Sequence, residues 1–337
     1  AQNLGIDIWL AQVEQEMFTT IRETIDFSFR AYSRMPAASW FTRWPVQVVL
    51  VVKQTMFTSS VEKLVKSKVR LPSCPYQKDL SQDMNETIKL LRSERNLMQW
   101  NILNCVITLQ VSHRDVFEKV ISCNVESVTN FNWISHIRHY YTPPSSIENL
   151  KSSLNIALLG VTTAYGNEYL KSTSRLVLTP LTLKCFRSLS IAATMNYFGA
   201  LHGPGGVGKT ETVKDFNRLM GRMCLVINCS NAVTARLTGR IIKGLAATPV
   251  AVCFDDFNRM DMRVVSVVAQ QLGIIRRANK ELEAPGSSHV FDFEGEKIRK
   301  NGSSYMFLTM NTMTFEKHVV PVSFKTLFRD ITLTQPN

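Results

Sequence analysis

The run GPGGVGKT constrains this chain more than any other part of its sequence. It matches the pattern GxxxxGK[ST] in full, and it lies after an apolar, strand-like run and before a helical one. In that context small residues let successive backbone N–H groups face phosphates, and the positive end of the following helix adds to the attraction. The residues of the motif are Gly203, Pro204, Gly205, Gly206, Val207, Gly208, Lys209 and Thr210. A glycine-rich turn that contains Lys-Thr by chance is the alternative, and the flanking strand and helix disfavour it.

The two polar residues that end this run have separate expected roles. The ammonium group of Lys209 is expected to reach the β- and γ-phosphates of a bound nucleotide. The hydroxyl of Thr210 is expected to bind Mg²⁺, a cation that prefers oxygen ligands. The sequence therefore predicts a site for ATP together with Mg²⁺.

From about residue 175 onward, short apolar runs alternate with helical segments, which is typical of a parallel α/β sheet. Residues 289–299 alternate apolar and polar positions around Glu294-Gly295, which indicates an inserted β-hairpin. The strand candidates are Tyr197–Leu201, Met223–Asn228, Val250–Phe254, Tyr305–Met310 and Asp330–Leu333. This half is therefore predicted to be a nucleotide-binding α/β domain with a five-stranded parallel sheet.

Two carboxylates directly follow the strand candidate at residues 250–254. A strand that is buried on both faces brings the residues at its carboxyl end to the edge where open α/β sheets bind ligands. Asp255 is therefore expected to hold Mg²⁺, and Asp256 is expected to be the base that polarises the attacking water. An Asp-rich helix start before Met260 is the alternative, and the presence of the GPGGVGKT run disfavours it.

Two further residues are candidates for a role in hydrolysis. Asn311 ends the strand candidate at 305–310, and it is expected to orient the attacking water if that strand lies between the strands of the other two motifs. A turn residue is the alternative for Asn311. Arg329 is a candidate finger for the nucleotide of a neighbouring module, and a plain surface arginine is the equal alternative.

The first half of the chain, up to about residue 170, is predicted to be mainly helical. Apolar residues recur at helical spacing over 8–32 and 46–67, and residues 79–120 have the pattern of long helices. His136 and His139 are three residues apart on a predicted helix without a carboxylate or thiol nearby, so a metal site is not expected. The string Ser112-His113-Arg114-Asp115 is not expected to be catalytic, because adjacent residues do not converge on one point.

Composition and charge exclude several classes of protein. A chain of 337 residues with 45% hydrophobic residues is not disordered. Its formal net charge of +12 suits a phosphate-rich or acidic partner, but the basic residues are scattered and no aromatic-basic strand face predicts nucleic-acid binding. No stretch reaches the roughly 18 apolar residues of a membrane span. The seven cysteines form no CxxC pair, which favours free thiols in a reducing compartment.

The motifs resemble, in order and spacing, those of the first AAA+ module of dynein heavy chains. This sequence has GPGGVGKTETVKDF, CFDDFNRM, SVVAQQL, FEGEKIR and MFLTMN where the family usually has GPAGTGKTETTKDL, CFDEFNRI, SVVAQQ, FEGEEI and ITMN. Upstream, WLAQVEQEMF, RWPVQVVLVV, VSHRDVFEKVI and FNWISHIRHYY resemble the helical linker of the family. The resemblance covers nearly the whole chain. A linker directly before the module implies the first of the AAA+ modules.

The resemblance implies a fold class and a division into domains. Residues 1–170 would be the carboxyl-terminal part of the linker, and residues 171–337 the large α/β subdomain of the module, an α/β P-loop NTPase (AAA+) domain. The segment that lines the adenine pocket of the family corresponds to Leu176, Val177, Thr179 and Pro180. Glu211 belongs to the extended phosphate-binding motif of the first module. The small helical subdomain, the later modules and the microtubule-binding stalk would lie outside a sequence that we expect to be a fragment.

The family also implies partners and a location. The expected partners are microtubules, bound through parts of the heavy chain that are not present here, and neighbouring AAA+ modules of the same chain. Other dynein heavy, intermediate, light intermediate and light chains are expected as well. The implied location is the cytoplasm and cytoskeleton, and the divergence of the motifs favours the axoneme of a cilium or flagellum. The implied activity is an ATPase that couples nucleotide state to a linker swing and to minus-end-directed movement.

Two departures from the family pattern bear on hydrolysis. Asp256 occupies the position of the usual Glu, so the carboxylate of the expected base is one methylene shorter. After Asn311 the usual Pro-Gly-Tyr is replaced by Thr312-Met-Thr, and a later Gly-Arg by Glu316-Lys317. Two hypotheses follow: a motor ATPase module, and a module that holds nucleotide, hydrolyses it poorly and has a structural or regulatory role.

Overall fold

The computed structural model describes residues 6–67, 74–94, 96–144, 152–171, 175–229, 234–248, 250–282, 290–299, 304–311 and 322–335. The chain divides into two compact units, Ala1–Leu178 and Thr179–Asn337. The resemblance to the family implies a division near residue 170, and the assignment of residues 1–170 to a linker stays a prediction. Within the described ranges, no helix combines the length and the apolar character that crossing a bilayer requires.

The first unit is mainly helical, as expected from the periodicity. Its helices are α1 (Ile6–Tyr32), α2 (Ala37–Arg43), α3 (Val46–Lys66), α4 (Tyr76–Ser93), α5 (Leu97–Ser122) and the single turn α6 (Phe131–Ile134). Prolines begin two of these helices, since Pro36 precedes α2 and Pro45 precedes α3, and the side chain of Asn96 caps α5 by accepting from the N–H of Met98. Helix α3 is central because it packs against α1, α5 and a strand.

A small antiparallel sheet completes the first unit, and the sequence analysis did not predict it. Its strands are β1 (Arg138–Thr142), β2 (Ser153–Leu158) and β3 (Val161–Ala164), in the order β1-β2-β3. The predicted helix that would carry both His136 and His139 is therefore wrong, because His139 lies in β1 and His136 precedes that strand. The sequence of β1, RHYYT, is rich in the aromatic and β-branched residues that favour strands. Among the described residues, no group of three or more His, Cys, Asp and Glu side chains is arranged to hold a metal ion.

A buried polar contact lies in the core of the first unit. The ring of His113 stacks on Phe57 with 4.0 Å between centroids, and its Nε2 lies 2.9 Å from Oε1 of Gln54. Because an amide oxygen only accepts, Nε2 of His113 carries the proton. The amide nitrogen of Gln54 donates to the carbonyl of Ile137, which ties α3 and α5 to the start of the sheet. His113 therefore stabilises the core.

The second unit contains the predicted parallel sheet. Its strands are β4 (Phe198–Gly203), β5 (Cys224–Asn228), β6 (Ala251–Asp255), β9 (Tyr305–Asn311) and β10 (Phe328–Thr332), in the order β10-β4-β9-β6-β5. All four pairings are parallel. Each predicted strand is confirmed with bounds shifted by at most two residues. Strand β9 lies between β4 and β6, so the ends of the three motif strands are neighbours at one edge.

Helices connect and cover this sheet. They are α7 (Pro180–Thr194), α8 (Lys209–Leu219), α9 (Ala235–Ala247), α10 (Met262–Leu282) and the short α11 (Val322–Lys325). Residues from α9 and α10 join β4, β6 and β9 in one buried cluster that includes Ile242, Leu245, Val252, Phe254, Val265, Val268, Leu272, Met306 and Leu308. The central strands β4, β6 and β9 can be largely apolar because crossover helices cover a parallel sheet.

The predicted hairpin is also confirmed. Strands β7 (Val290–Phe293) and β8 (Glu296–Arg299) pair antiparallel around Glu294 and Gly295. Both turn residues have positive φ, 54° and 84°, as the tight turns that match the twist of a hairpin require. Phe293 and Ile298 are buried against the main cluster, so the hairpin packs on its own unit.

We expect acid to destabilise the first unit, because two of its histidines are buried. Burial, reinforced by the positive charge of Arg175, lowers the pKa of His139 to about 3, and burial also holds the pKa of His113 well below 6.5. The unfolded chain therefore binds more protons once the pH falls below about 6.5, so the stability is fully present above that pH and is lost as the pH falls toward the folded value. At pH 5 the protonation of His139 alone should lower the free energy of unfolding of the first unit by about 2 kcal/mol.

Tryptophan fluorescence reports this unfolding for the first unit alone. All five tryptophans precede residue 179, namely Trp9, Trp40, Trp44, Trp100 and Trp133. We expect a lower thermal midpoint at pH 5 than at pH 7, and a smaller difference in His139→Phe. His202→Phe, which changes a histidine of the other unit, is the control and should leave the difference unchanged. An equal pH dependence in the wild type and His139→Phe would contradict the assignment to His139.

Candidate nucleotide site

The loop between β4 and α8 has the backbone geometry that phosphate binding requires. Gly206 and Gly208 have φ of 79° and 82°, in the left-handed region that residues with side chains rarely adopt. A Cβ on Gly203 would lie 2.5 Å from the carbonyl oxygen of Leu333, so the close approach of the backbone just after β10 excludes a side chain there. Helix α8 begins at Lys209 without a side-chain cap. The loop therefore presents backbone and the positive end of a helix to a ligand.

The side chain of Lys209 folds back over this loop. Its ammonium group donates to the carbonyl of Gly203 at 3.0 Å and to the carbonyl of Pro204 at 2.7 Å, and the residue is 7% exposed. Burial lowers the pKa of Lys209, and the carboxylates of Asp256 and Asp255 act in the opposite direction. The cation is thus held within reach of the loop by bonds to main-chain oxygens.

Thr210 and Asp255, the two predicted metal ligands, are in direct contact. The hydroxyl of Thr210 donates to Oδ1 of Asp255 at 2.5 Å. Thr210 lies in the first turn of α8 and Asp255 ends β6, so this bond joins the phosphate loop to the second motif. The two oxygens form a pair of hard ligands at the carboxyl edge of the sheet.

Thr309 is a third member of this contact, and the sequence analysis missed it. Its hydroxyl donates to the same Oδ1 of Asp255, and its oxygen accepts from the backbone N–H of Asp256 at 3.1 Å. The signal was present in the sequence, because Thr309 is the one hydroxyl in the otherwise apolar run 306–310 and lies two residues before Asn311. Residues two apart share a face of a strand.

Asp256 occupies an unusual backbone conformation and has an ionic partner. Its φ and ψ of 51° and 46° are left-handed, and it precedes a single 3₁₀ turn, Phe257–Arg259. Its Oδ2 lies 3.2 Å from Nη2 of Arg259, and both side chains are partly exposed. The expected base is therefore near the loop but engaged by a cation in this structure. Sequence reasoning missed Arg259 because its approach depends on the left-handed turn.

Asn311 lies beside the phosphate loop. A Cβ on Gly205 would be 3.5 Å from Nδ2 of Asn311, so the amide is directed toward that glycine. The backbone N–H of Asn311 lies 3.4 Å from Oδ1 of Asn258, which links the end of β9 to the 3₁₀ turn. The altered segments at Thr312-Met-Thr and Glu316-Lys317 lie outside the described residues.

Arg329 is not brought to this site. It is exposed on β10 and is paired in register with Gly199, four residues before Gly203. At about 3.3 Å per residue, Arg329 is roughly 13 Å along the sheet from the start of the phosphate loop, toward the opposite edge. Glu211 is exposed in the first turn of α8 and forms an ion pair with Lys214. The structure gives neither side chain a contact with the loop.

The remaining predicted residues precede or begin α7. The hydroxyl of Thr179 accepts from the N–H of Thr182 at 3.3 Å, the side chain of Thr182 bonds back to Thr179, and Pro180 is the first helical residue. Thr179 and Pro180 therefore have a role in starting the helix. Leu176 and Val177 fall in the first unit, and Val177 is 60% exposed. Their role in an adenine pocket stays a prediction.

The arrangement fits a nucleotide triphosphate with a divalent cation. Glycines leave a cradle that side chains would fill, and a buried lysine lies against it. The hydroxyl of Thr210, at the start of α8, is hydrogen-bonded to the carboxylate of Asp255, at the end of β6. A hydroxyl and a carboxylate are the oxygen ligands that Mg²⁺ takes in nucleotide sites. A second carboxylate and an amide lie at the same edge, where an attacking water would be oriented.

Comparison with known proteins is consistent with this geometry. Residues 165–337 match the family described as the hydrolytic ATP binding site of the dynein motor region. Dynein axonemal heavy chain 12 of Mus musculus is 35% identical over 334 residues, which cover 99% of this chain and 10% of the relative. Dynein axonemal heavy chain 1 of Homo sapiens is also 35% identical, over 99% of this chain and 8% of the relative. Dynein axonemal heavy chain 3 of Mus musculus is 33% identical over 98% of this chain and 8% of the relative.

This chain thus spans about a tenth or less of the length of these relatives. The matched family covers the unit that contains the phosphate loop, the carboxylate strand and Asn311. The chain belongs to the dynein heavy chain family, and its α/β unit is an AAA+ module of the dynein motor region.

Proposed function

We propose that the second unit binds ATP with Mg²⁺ and hydrolyses it as the first AAA+ module of a dynein heavy chain. The observation that carries this proposal is the bond between Thr210 and Asp255, because it places the two expected metal ligands together. The backbone of Gly203 to Gly208 would hold the phosphates. Mg²⁺, when bound, supplies positive charge that neutralises the phosphate oxygens.

In the proposed binding step Lys209 exchanges partners. Its bonds to the carbonyls of Gly203 and Pro204 hold it beside the loop, and a phosphate oxygen offers a stronger, charge-assisted bond than a neutral carbonyl. Because the side chain is already ordered and largely desolvated, little additional ordering is required. The proposed binding of the phosphates depends on Lys209 and on the backbone of the loop.

In the proposed hydrolytic step Asp256 accepts the proton of the attacking water and Asn311 orients that water. Both residues lie at the carboxyl edge beside the phosphate loop. To act, the carboxylate of Asp256 has to leave Arg259. Arg329, about 13 Å away along the sheet, would serve the nucleotide of a neighbouring module rather than its own. The unit alone would therefore hydrolyse ATP slowly.

The second candidate is a module that holds nucleotide without rapid turnover. The observation that favours it is the ion pair between Asp256 and Arg259, together with the shorter side chain of Asp where the family pattern has Glu. A displacement of about 1 Å in a catalytic group can cost on the order of 10²-fold in rate. In that case the unit would have a structural or regulatory role.

For the whole protein we propose the activity that the relatives' names indicate, that of an axonemal dynein heavy chain. Residues 1–170 would form the carboxyl-terminal part of the linker that swings with nucleotide state. Microtubules, other dynein heavy, intermediate, light intermediate and light chains, and neighbouring AAA+ modules would be the partners, and nucleic acid and membrane would not. The proposed location is the cytoplasmic cytoskeleton of the ciliary or flagellar axoneme, with minus-end-directed movement.

Lys209→Ala should weaken the binding of ATP to the chain by at least about tenfold, because the phosphates lose their nearest cation. Calorimetric titration with ATP in the presence of Mg²⁺ measures this directly. Lys214→Ala is the matched control, since Lys214 lies five residues later on the same helix, α8, and pairs with Glu211. Equal affinities in wild type and Lys209→Ala would exclude the loop as the nucleotide site.

In the full-length heavy chain, Asp256→Glu should raise the steady-state ATPase rate, because the longer side chain restores the reach of the base. Asp256→Asn should abolish the remaining hydrolysis, and both variants should keep the ATP affinity of the wild type. Asp261→Asn is the control, because Asp261 is a nearby carboxylate that accepts from the N–H of Arg263, and the amide keeps that acceptor. If neither change at residue 256 alters the rate, Asp256 is not the base.

A further inference from the structure

Thr309 lies where three parts of the site meet. It is 0% exposed in β9, whose neighbours are β4 on one side and β6 on the other. Phe254 of β6 is paired in register with Leu308, so the next residues along the two strands, Asp255 and Thr309, lie side by side. On the other side Thr309 is paired with Leu201, two residues before the phosphate loop begins at Gly203.

The direction of each hydrogen bond at Thr309 follows from its partners. A backbone N–H can only donate, so the oxygen of Thr309 accepts from Asp256. The single hydroxyl proton of Thr309 is then directed to Oδ1 of Asp255. The hydroxyl of Thr210, in the first turn of α8, donates to the same Oδ1. One carboxylate oxygen is therefore fixed by two O–H donors, and Oδ2 is the oxygen that can turn toward a cation.

The same hydroxyl also fixes the turn that follows β6. Asp256 has the left-handed backbone conformation, which a non-glycine residue keeps only where its surroundings hold it there. Its N–H is the group that Thr309 accepts. One buried side chain thus sets both the orientation of the expected metal ligand and the backbone of the expected base.

We propose that Thr309 is a positioning residue that holds Asp255 in the orientation needed for Mg²⁺ with ATP. This inference rests on the proposed function, since it assigns a role within the same site. Thr309 does not touch the nucleotide and acts through Asp255. Its loss should therefore reduce the contribution of Mg²⁺ to ATP binding, and it should leave the metal-free contact of the phosphates with the loop unchanged.

Three variants of the chain test this role. Thr309→Val keeps the shape and removes the hydroxyl, and Thr309→Ser keeps the hydroxyl and removes a methyl group. Thr238→Val is the matched control, because Thr238 is also 0% exposed in the same unit and, among the described residues, its hydroxyl bonds to the carbonyls of Thr234 and Ala235 at the start of α9. ATP affinity is measured by calorimetry in EDTA and again in excess MgCl₂, and thermal unfolding is recorded for each variant.

In EDTA we expect equal affinities for wild type and all variants. With MgCl₂, wild type, Thr309→Ser and Thr238→Val should gain affinity, and Thr309→Val should lose about tenfold of that gain, the loss of a hydrogen bond to a charged group. Thr309→Val and Thr238→Val should both lower the unfolding temperature, so lowered stability alone does not account for the loss. If Thr309→Val fails to fold, Thr309→Ala serves in the same comparison.

The opposite results separate the inference from the function on which it rests. An equal Mg²⁺-dependent gain in Thr309→Val and wild type would overturn the role of Thr309 while ATP binding stands. An equal loss in Thr309→Ser, or in Thr238→Val, would overturn it as well, because the hydroxyl at residue 309 would not be the cause. If the wild type binds no ATP in either condition, the proposed function fails and the inference fails with it.

Discussion

The carboxylate of Asp255 accepts hydroxyl protons from two different elements, Thr210 at the start of α8 and Thr309 in β9. The geometry of the site depends on this pair of hydrogen bonds, because they join the phosphate loop, the carboxylate strand and the strand that ends at Asn311. It is possible only because the strand order places β9 between β4 and β6. The fold thus brings together three motifs that are separated by about fifty residues each in the sequence.

Electrostatics explains why binding is better supported than turnover. Lys209 is buried against main-chain carbonyls and close enough to both carboxylates that they oppose the lowering of its pKa. A phosphate would replace weak acceptors with a charged one without a large rearrangement. Asp256, in contrast, is in a left-handed turn with Arg259 as its ionic partner. Hydrolysis would require that pair to separate, at a cost of about 1 kcal/mol or less, so the shorter side chain at residue 256 is the larger obstacle to turnover.

Much of the α/β unit could be predicted from the sequence, because its three central strands, β4, β6 and β9, are largely buried and read as nearly continuous apolar runs. The GPGGVGKT run and the Asp255-Asp256 pair could be located for the same reason, since each follows such a strand. Thr309 and Arg259 could not be assigned, because their contacts depend on strand register and on one left-handed residue. The small sheet of the first unit was missed because β1 follows a helical turn after only three residues and its aromatic pattern is also compatible with a helix.

The central claim is that Asp255, held by Thr210 and Thr309, forms the metal side of a nucleotide site. A crystal structure of the chain with a non-hydrolysable ATP analogue and Mg²⁺ tests it most directly. The account predicts phosphates against the backbone of residues 203–208, Mg²⁺ at about 2.1 Å from the hydroxyl oxygen of Thr210, and Asp255 beside the metal with its bond to Thr309 retained. A nucleotide bound elsewhere, or Mg²⁺ bound without Thr210 and with Asp255 turned away, would contradict it.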